Sequence, residues 1–155
     1  MMVSNPEQWV DDFAKAGANS YTFHVEATKD PAALIKKIKE AGMAASISLK
    51  PATPLSEILP FVPSVDMVLV MTVKPGFGGQ SFMADQLEKV RQLRAQFPKL
   101  HIEVDGGLAP DTVEQAAQAG ANIIVAGSAV FKAKDMKECI ATLRGAVDKQ
   151  LASSK

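Results

Sequence analysis

Three glycine-rich segments stand out in the second half of the chain: Pro75-Gly76-Phe77-Gly78-Gly79, Asp105-Gly106-Gly107 and Ala126-Gly127-Ser128. Backbone stripped of side-chain bulk lets N–H groups converge on an anion, and a helix start just beyond adds positive dipole. Ser128 would add a hydroxyl donor. Any one of these segments is also an ordinary turn. Three at successive strand ends read as a phosphate grip, because phosphate sites in strand–helix barrels gather at the late strands. Asp105 ends its strand beside two of the glycines. A carboxylate there faces whatever the phosphate anchors, and it can bind a metal or transfer a proton, although Asp-Gly is also a common turn pair. Met71 shares that end of the strands, where a thioether serves a core or lines a pocket. His24 reads as a structural histidine satisfied by its surroundings. His101 begins its strand, at the wrong end for catalysis.

The elements that must position these residues alternate along the chain. Asn5-Pro6-Glu7 opens a helix with a cap, a proline at the first position and an early acid, and Gly17 ends it. The strand Tyr21–Val25 follows. Asp30-Pro31 starts a helix whose Leu34, Ile35 and Ile38 share a face, and residues 45–50 alternate with period 2 as a second strand. A short helix near Leu55–Phe61 leads to the strand Met67–Thr72. A helix near Asp85–Phe97 precedes the strand Ile102–Asp105, and one near Pro110–Ala119 precedes the strand Ile123–Ala126. A last helix begins near Lys134. Ala16-Gly17-Ala18-Asn19 and Ala119-Gly120-Ala121-Asn122 repeat the same helix-to-strand joint.

Regular strand–helix alternation with short joints predicts a parallel sheet covered by helices. Two architectures take that pattern, a doubly wound sheet and a (β/α)8 barrel. Length favours the first, since a barrel usually needs about 250 residues. Strand chemistry favours the second. Thr22/His24/Glu26, Ser46/Ser48/Lys50 and His101/Glu103/Asp105 make one face of three strands polar, whereas a doubly wound sheet needs apolar faces on both sides. Met1-Met2-Val3 looks like the tail of a strand. The reading is therefore a single partial barrel domain over residues 1–155, with about five strand–helix units and without about the first three strands of a complete barrel.

Composition narrows the partners. Lys+Arg and Asp+Glu are 17 each, so no basic excess suits nucleic acid or an anionic membrane. The longest apolar stretch is broken by Asp66 and is shorter than the ~20 residues of a membrane helix. No signal peptide is expected. Cys139, the one cysteine, has neighbours at helical spacing and reads as a packed small hydrophobe. A reducing, cytoplasmic compartment fits.

Four motifs carry a resemblance: Met-Met-Val-Ser-x-Pro-Glu-Gln-Trp at the start, Tyr-Thr-Phe-His-x-Glu-Ala, Met-Thr-Val-x-Pro-Gly-Phe-Gly-Gly-Gln-x-Phe, and Glu-Val-Asp-Gly-Gly. In this order, over essentially the whole chain, they resemble ribulose-5-phosphate 3-epimerases. That family is a (β/α)8 barrel of the pentose phosphate pathway interconverting D-ribulose 5-phosphate and D-xylulose 5-phosphate. The resemblance implies that Gly76, Phe77, Gly78, Gly79, Gly106, Gly107, Gly127 and Ser128 hold the substrate phosphate. It implies that Asp105 is both a metal ligand and one of two proton-transfer acids, and that Met2 and Met71 line the planar intermediate. A divalent metal, Zn2+ or Fe2+, and a homodimer belong to the same expectation. The family's metal site uses two aspartates and two histidines, and its second acid lies in an early His-x-Asp motif. Neither that motif nor the histidine expected before Met1 occurs here, and His24 and His101 do not match. Metal binding is therefore expected to be impaired, and this chain alone to be poorly stable with little or no epimerase activity. The alternative from another class is a non-catalytic sugar-phosphate binder or a partner of a full-length subunit.

Overall fold

Each joint between elements is set by a short local device. In the computed structural model, which describes residues 1–153, Asp30 accepts the Ala33 N–H at 3.0 Å and so caps the helix that Pro31 opens. Pro6 likewise begins a 3-10 turn, Pro6–Trp9, that runs into α1 (Val10–Lys15). The chain divides into two compact units, residues 1–69 and 70 onward, and the division falls inside the third strand.

In the first unit α1 leads to β1 (Ser20–His24), then α2 (Pro31–Glu40) and β2 (Ala44–Leu49). The two strands pair in parallel, Ser20 opposite Ala44 through His24 opposite Ser48. Alternation sorts their side chains. Tyr21, Phe23, Ala45, Ile47 and Leu49 are buried on one face, where Leu34, Ile35 and Ile38 of α2 are also withdrawn from water. Burying each large apolar side chain contributes roughly 1.5–3 kcal/mol. Tyr21 adds an edge-on contact with Phe13, ring centroids 5.6 Å apart, and its hydroxyl donates to Pro6 O at 2.9 Å. The opposite face is polar, as expected from the sequence, but it is buried: Ser46 and Ser48 are both 1 % exposed.

The expected helix near residues 55–61 is instead two 3-10 turns, Leu55–Glu57 and Leu59–Ser64. Pro60 and Pro63 lack the N–H donors an α-helix would require there. Asp66 then fastens the chain to β2, its N–H donating to Ala45 O at 2.8 Å while its carboxylate accepts the Ala45 N–H at 2.9 Å. The third strand, β3 (Met67–Met71), follows.

The second unit takes the end of β3 into a 3-10 turn (Ala84–Gln86), α3 (Leu87–Gln96), β4 (His101–Asp105), α4 (Val113–Ala119), β5 (Ile123–Val125), α5 (Ser128–Phe131) and α6 (Met136–Ser153). β4 pairs in parallel with β5, Glu103 opposite Ile123 and Asp105 opposite Val125. The five strands follow one another in chain order. α4 starts later than its sequence suggests because Thr112 holds the preceding turn, its hydroxyl accepting from Ala109 N and donating to Gly107 O. Arg94 closes the other end, with Nε and Nη2 donating to Gly120 O at 3.0 and 2.8 Å and Nη1 to Pro98 O at 2.7 Å. Cys139 packs with Val113 and Leu143, as its helical neighbours predicted. No helix among the described residues is long and apolar enough to cross a membrane.

Candidate phosphate grip and acid at the strand ends

Thr72 follows β3 and is fully buried. Its N–H donates to Asp105 O at 2.8 Å, its hydroxyl donates to Gly106 O at 2.6 Å, and its own carbonyl accepts from Met83 N at 2.8 Å. One threonine thus ties the end of β3 to the end of β4 and to the far side of the glycine loop. Sequence reasoning read it only as the close of a strand. Its place in the Met-Thr-Val-x-Pro-Gly motif was the available signal.

Close approach explains two of the glycines. A Cβ on Gly106 would sit 2.4 Å from a Val73 methyl and 2.8 Å from the Val73 N, and one on Gly107 would sit 2.7 Å from the Phe82 backbone. Both residues also have left-handed φ, +121° and +70°, a region other residues rarely occupy. The second glycine segment is therefore pressed against both flanks of the first. The third meets the first directly, since the Cβ position of Gly78 lies 3.6 Å from Ser128 Oγ. Gly76, Gly79 and Gly127 border open space. Gln80 pins the loop across its base, donating to Lys74 O at 2.6 Å and Phe77 O at 2.7 Å, and leaves Phe77 87 % exposed.

Asp105 is half-buried, and burial pushes its carboxyl above the ordinary aspartate range. Among the described residues no hydrogen bond holds that carboxylate. Glu103, two residues earlier on the same face, is raised by burial and then by the negative charge of Asp105. A half-buried acid with an elevated pKa beside the Gly106-Gly107 turn is suited to proton transfer. Met71 ends β3 and is 2 % exposed, whereas Met2 lies in the first unit and is 59 % exposed. Within the second unit the structure brings Gly76–Gly79, Asp105–Gly107, Gly127 and Ser128 to one end of the strands.

The donor set for a metal is a separate matter. Among the described residues no group of three or more His, Cys, Asp or Glu could hold an ion. A catalytic zinc takes about three protein ligands, so the residues present do not fit one by themselves.

Parallel strands alternating with helices place this molecule among α/β proteins of the barrel type. Solved structures agree on the fold. The chain matches 3-hexulose-6-phosphate synthase from Salmonella typhimurium with a TM-score of 0.71 at 21 % identity, covering 94 % of this chain and 69 % of the other. It matches the Streptococcus mutans KGPDC structure with a TM-score of 0.72 at 16 % identity, covering 94 % and 70 %.

The Ribulose-phosphate 3 epimerase family profile matches residues 1–131, and the chain belongs to that family. It is 55 % identical to the ribulose-phosphate 3-epimerase of Candida glabrata over 97 % of this chain and 61 % of that protein. It is 52 % identical to the cytoplasmic isoform of ribulose-phosphate 3-epimerase from Oryza sativa subsp. japonica, over 96 % and 67 %. The chain thus spans somewhat under two thirds of the Candida glabrata relative's length.

Proposed function

We propose that this chain carries the phosphate grip and one proton-transfer acid of an enzyme that interconverts D-ribulose 5-phosphate and D-xylulose 5-phosphate, a cytoplasmic step of the pentose phosphate pathway. The observation that carries this reading is the placement of Asp105. Its carboxyl, with a pKa raised by burial and held by no donor among the described residues, stands at the strand end next to Gly106 and Gly107. Gly76–Gly79, Gly127 and Ser128 would bind the phosphate through N–H groups and the Ser128 hydroxyl, which positions the sugar carbons beside Asp105.

The chemistry follows from the carbon that inverts. C3 lies beside the C2 ketone, so a base can remove its proton while the C3–H electrons form a C2–C3 double bond and the ketone oxygen becomes an enediolate oxygen. Returning a proton to the other face of C3 completes the epimerisation. Two acid/base groups on opposite faces are therefore needed, and Asp105 is one. Met71, at the end of β3, would line the planar intermediate. A divalent cation, Zn2+ or Fe2+, is what the resemblance implies at this carboxylate. Among the described residues this chain's own donors do not fit such an ion. Assembly as a homodimer is part of the same proposal.

The lone acid favours a second reading, in which the chain binds sugar phosphate without turning it over, or associates with a full-length subunit. Two measurements on the 155-residue chain separate these. Calorimetry with D-ribulose 5-phosphate, with and without chelator, reports the grip. Proton NMR in D2O reports loss of the C3 hydrogen, which one base can cause. Binding with exchange that Asp105→Asn abolishes supports the epimerase reading. Chelator-insensitive binding with no exchange supports the binder, and no binding at all refutes both.

A further inference from the structure

The paired strands of the first unit end in two polar side chains with buried atoms that lack a close hydrogen-bond partner among the described residues. His24 and Ser48 are register partners on β1 and β2. Their side chains therefore leave the same face of the sheet from strands about 4.8 Å apart. His24 is 7 % exposed and Ser48 1 %. His24 Nδ1 and Ser48 Oγ are both shielded from solvent, and neither has a hydrogen-bond partner. The sequence led us to expect a satisfied structural histidine at position 24. Glu26 Oε2 stands 3.5 Å from the imidazole, and the register partner of His24 is a serine whose hydroxyl is unpaired.

The neighbours show why this layer is unusual. Earlier on the same face, Ser20 Oγ and Ser46 Oγ lie diagonally 3.4 Å apart, so that one can donate a long hydrogen bond to the other. At the strand ends Glu26 Oε2 is 3.5 Å from His24 Nδ1, a long contact that still helps to hold the Glu26 carboxyl low. The other Glu26 oxygen accepts the Lys50 N–H at 2.9 Å and the Thr53 hydroxyl. Native interiors pair nearly all such buried atoms. Two adjacent unpaired ones mark a place for a small polar guest.

We infer that the C-terminal ends of β1 and β2 form a binding site for one hydroxyl group, held between His24 Nδ1 and Ser48 Oγ. A hydroxyl donates one hydrogen bond and accepts others, so it can serve both atoms whichever imidazole nitrogen carries the proton. An anion would meet the Glu26 carboxylate. A cation would find that same carboxylate already engaged by two donors, with only a serine oxygen to add. The hydroxyl can come from an ordered water or from a polyol ligand. The polyol source rests on the function proposed above, and the water source does not.

The test is a crystal structure of the chain at a resolution that shows ordered water, without ligand and with D-ribulose 5-phosphate. The expected result is an oxygen within about 2.6–3.2 Å of both atoms. A water in both crystals, or a sugar oxygen replacing it in the second, upholds the site and names the source. The Ser48→Ala variant should lose that oxygen, while Ser48→Thr should keep it. The His24 imidazole 15N resonances should move in Ser48→Ala and not in Ser48→Thr, a solution readout that needs no crystal. The site is overturned if no oxygen touches both atoms, if it persists in Ser48→Ala, or if the His24 resonances ignore the substitution. A water found here in a chain that fails to bind D-ribulose 5-phosphate would uphold this site while sinking the epimerase reading.

Discussion

Thr72 and Asp105 are joined backbone to backbone at 2.8 Å, and the Thr72 hydroxyl reaches one residue further to the Gly106 carbonyl at 2.6 Å. The acid and the glycine turn behind it are held by a residue from the neighbouring strand. Thr72→Val keeps the shape and the N–H but leaves Gly106 O unpaired. An unsatisfied buried acceptor costs about 1–3 kcal/mol, so the melting temperature should fall by roughly 2–10 °C. Calorimetric melts check the loss, and weakened D-ribulose 5-phosphate binding should accompany it.

Gly107→Ala should be worse than an ordinary surface change. The new methyl would press on the Phe82 backbone at 2.7 Å and sit at φ +70°. Left-handed strain alone costs on the order of 1–3 kcal/mol. Loss of ligand binding together with a lower denaturant midpoint is the expected pair of results. A variant as stable and as competent as the parent would show that the two glycine segments do not need this approach.

Asp105→Asn separates stability from chemistry. Burial raises the carboxyl's pKa, so the folded state holds its proton more tightly than the unfolded one. That contribution is favourable below the ordinary aspartate pKa and is lost as pH rises through the raised value. At neutral pH the charge therefore opposes folding. The asparagine variant should melt slightly higher than the parent at pH 7, with the difference vanishing in acid. Binding of D-ribulose 5-phosphate should change only a few-fold, while exchange of the C3 hydrogen disappears.

Glu26 behaves oppositely. Burial would raise its pKa, but His24, the Lys50 N–H and the Thr53 hydroxyl outweigh that and lower it to about 2. Its contribution to stability is present above the unfolded value of about 4.3 and is lost as pH falls toward 2. The carboxylate is partly screened by solvent, which keeps this on the order of 1 kcal/mol. Acid titrations of melting temperature should show a shallower decline below pH 4.5 in Glu26→Gln than in the parent.

The purified 155-residue chain is expected to give little or no net epimerisation in a coupled assay. One acid can remove a proton, but it cannot return one to the opposite face. Normal turnover would show that the second acid is present within this chain.

Much of this was legible without coordinates. Asp30-Pro31 announced a capped helix start, and the polar residues of β1 and β2 announced one polar sheet face. Residues 55–61 misled, because they read as a helix while Pro60, and Pro63 just beyond, remove the donors that would sustain it. Local chemistry won over periodicity. Thr72 and the His24–Ser48 pair were not legible as sites, because their significance lies in partners more than twenty residues away.

The sequence by itself determined the strand–helix alternation, the family and the glycine and aspartate motifs, since these depend on near neighbours and composition. Only the tertiary structure decided which glycines are forced by contact, which acid is left free, and which buried polar atoms lack partners. Those properties arise from register and burial, which bring distant residues within bonding distance and remove water from around them.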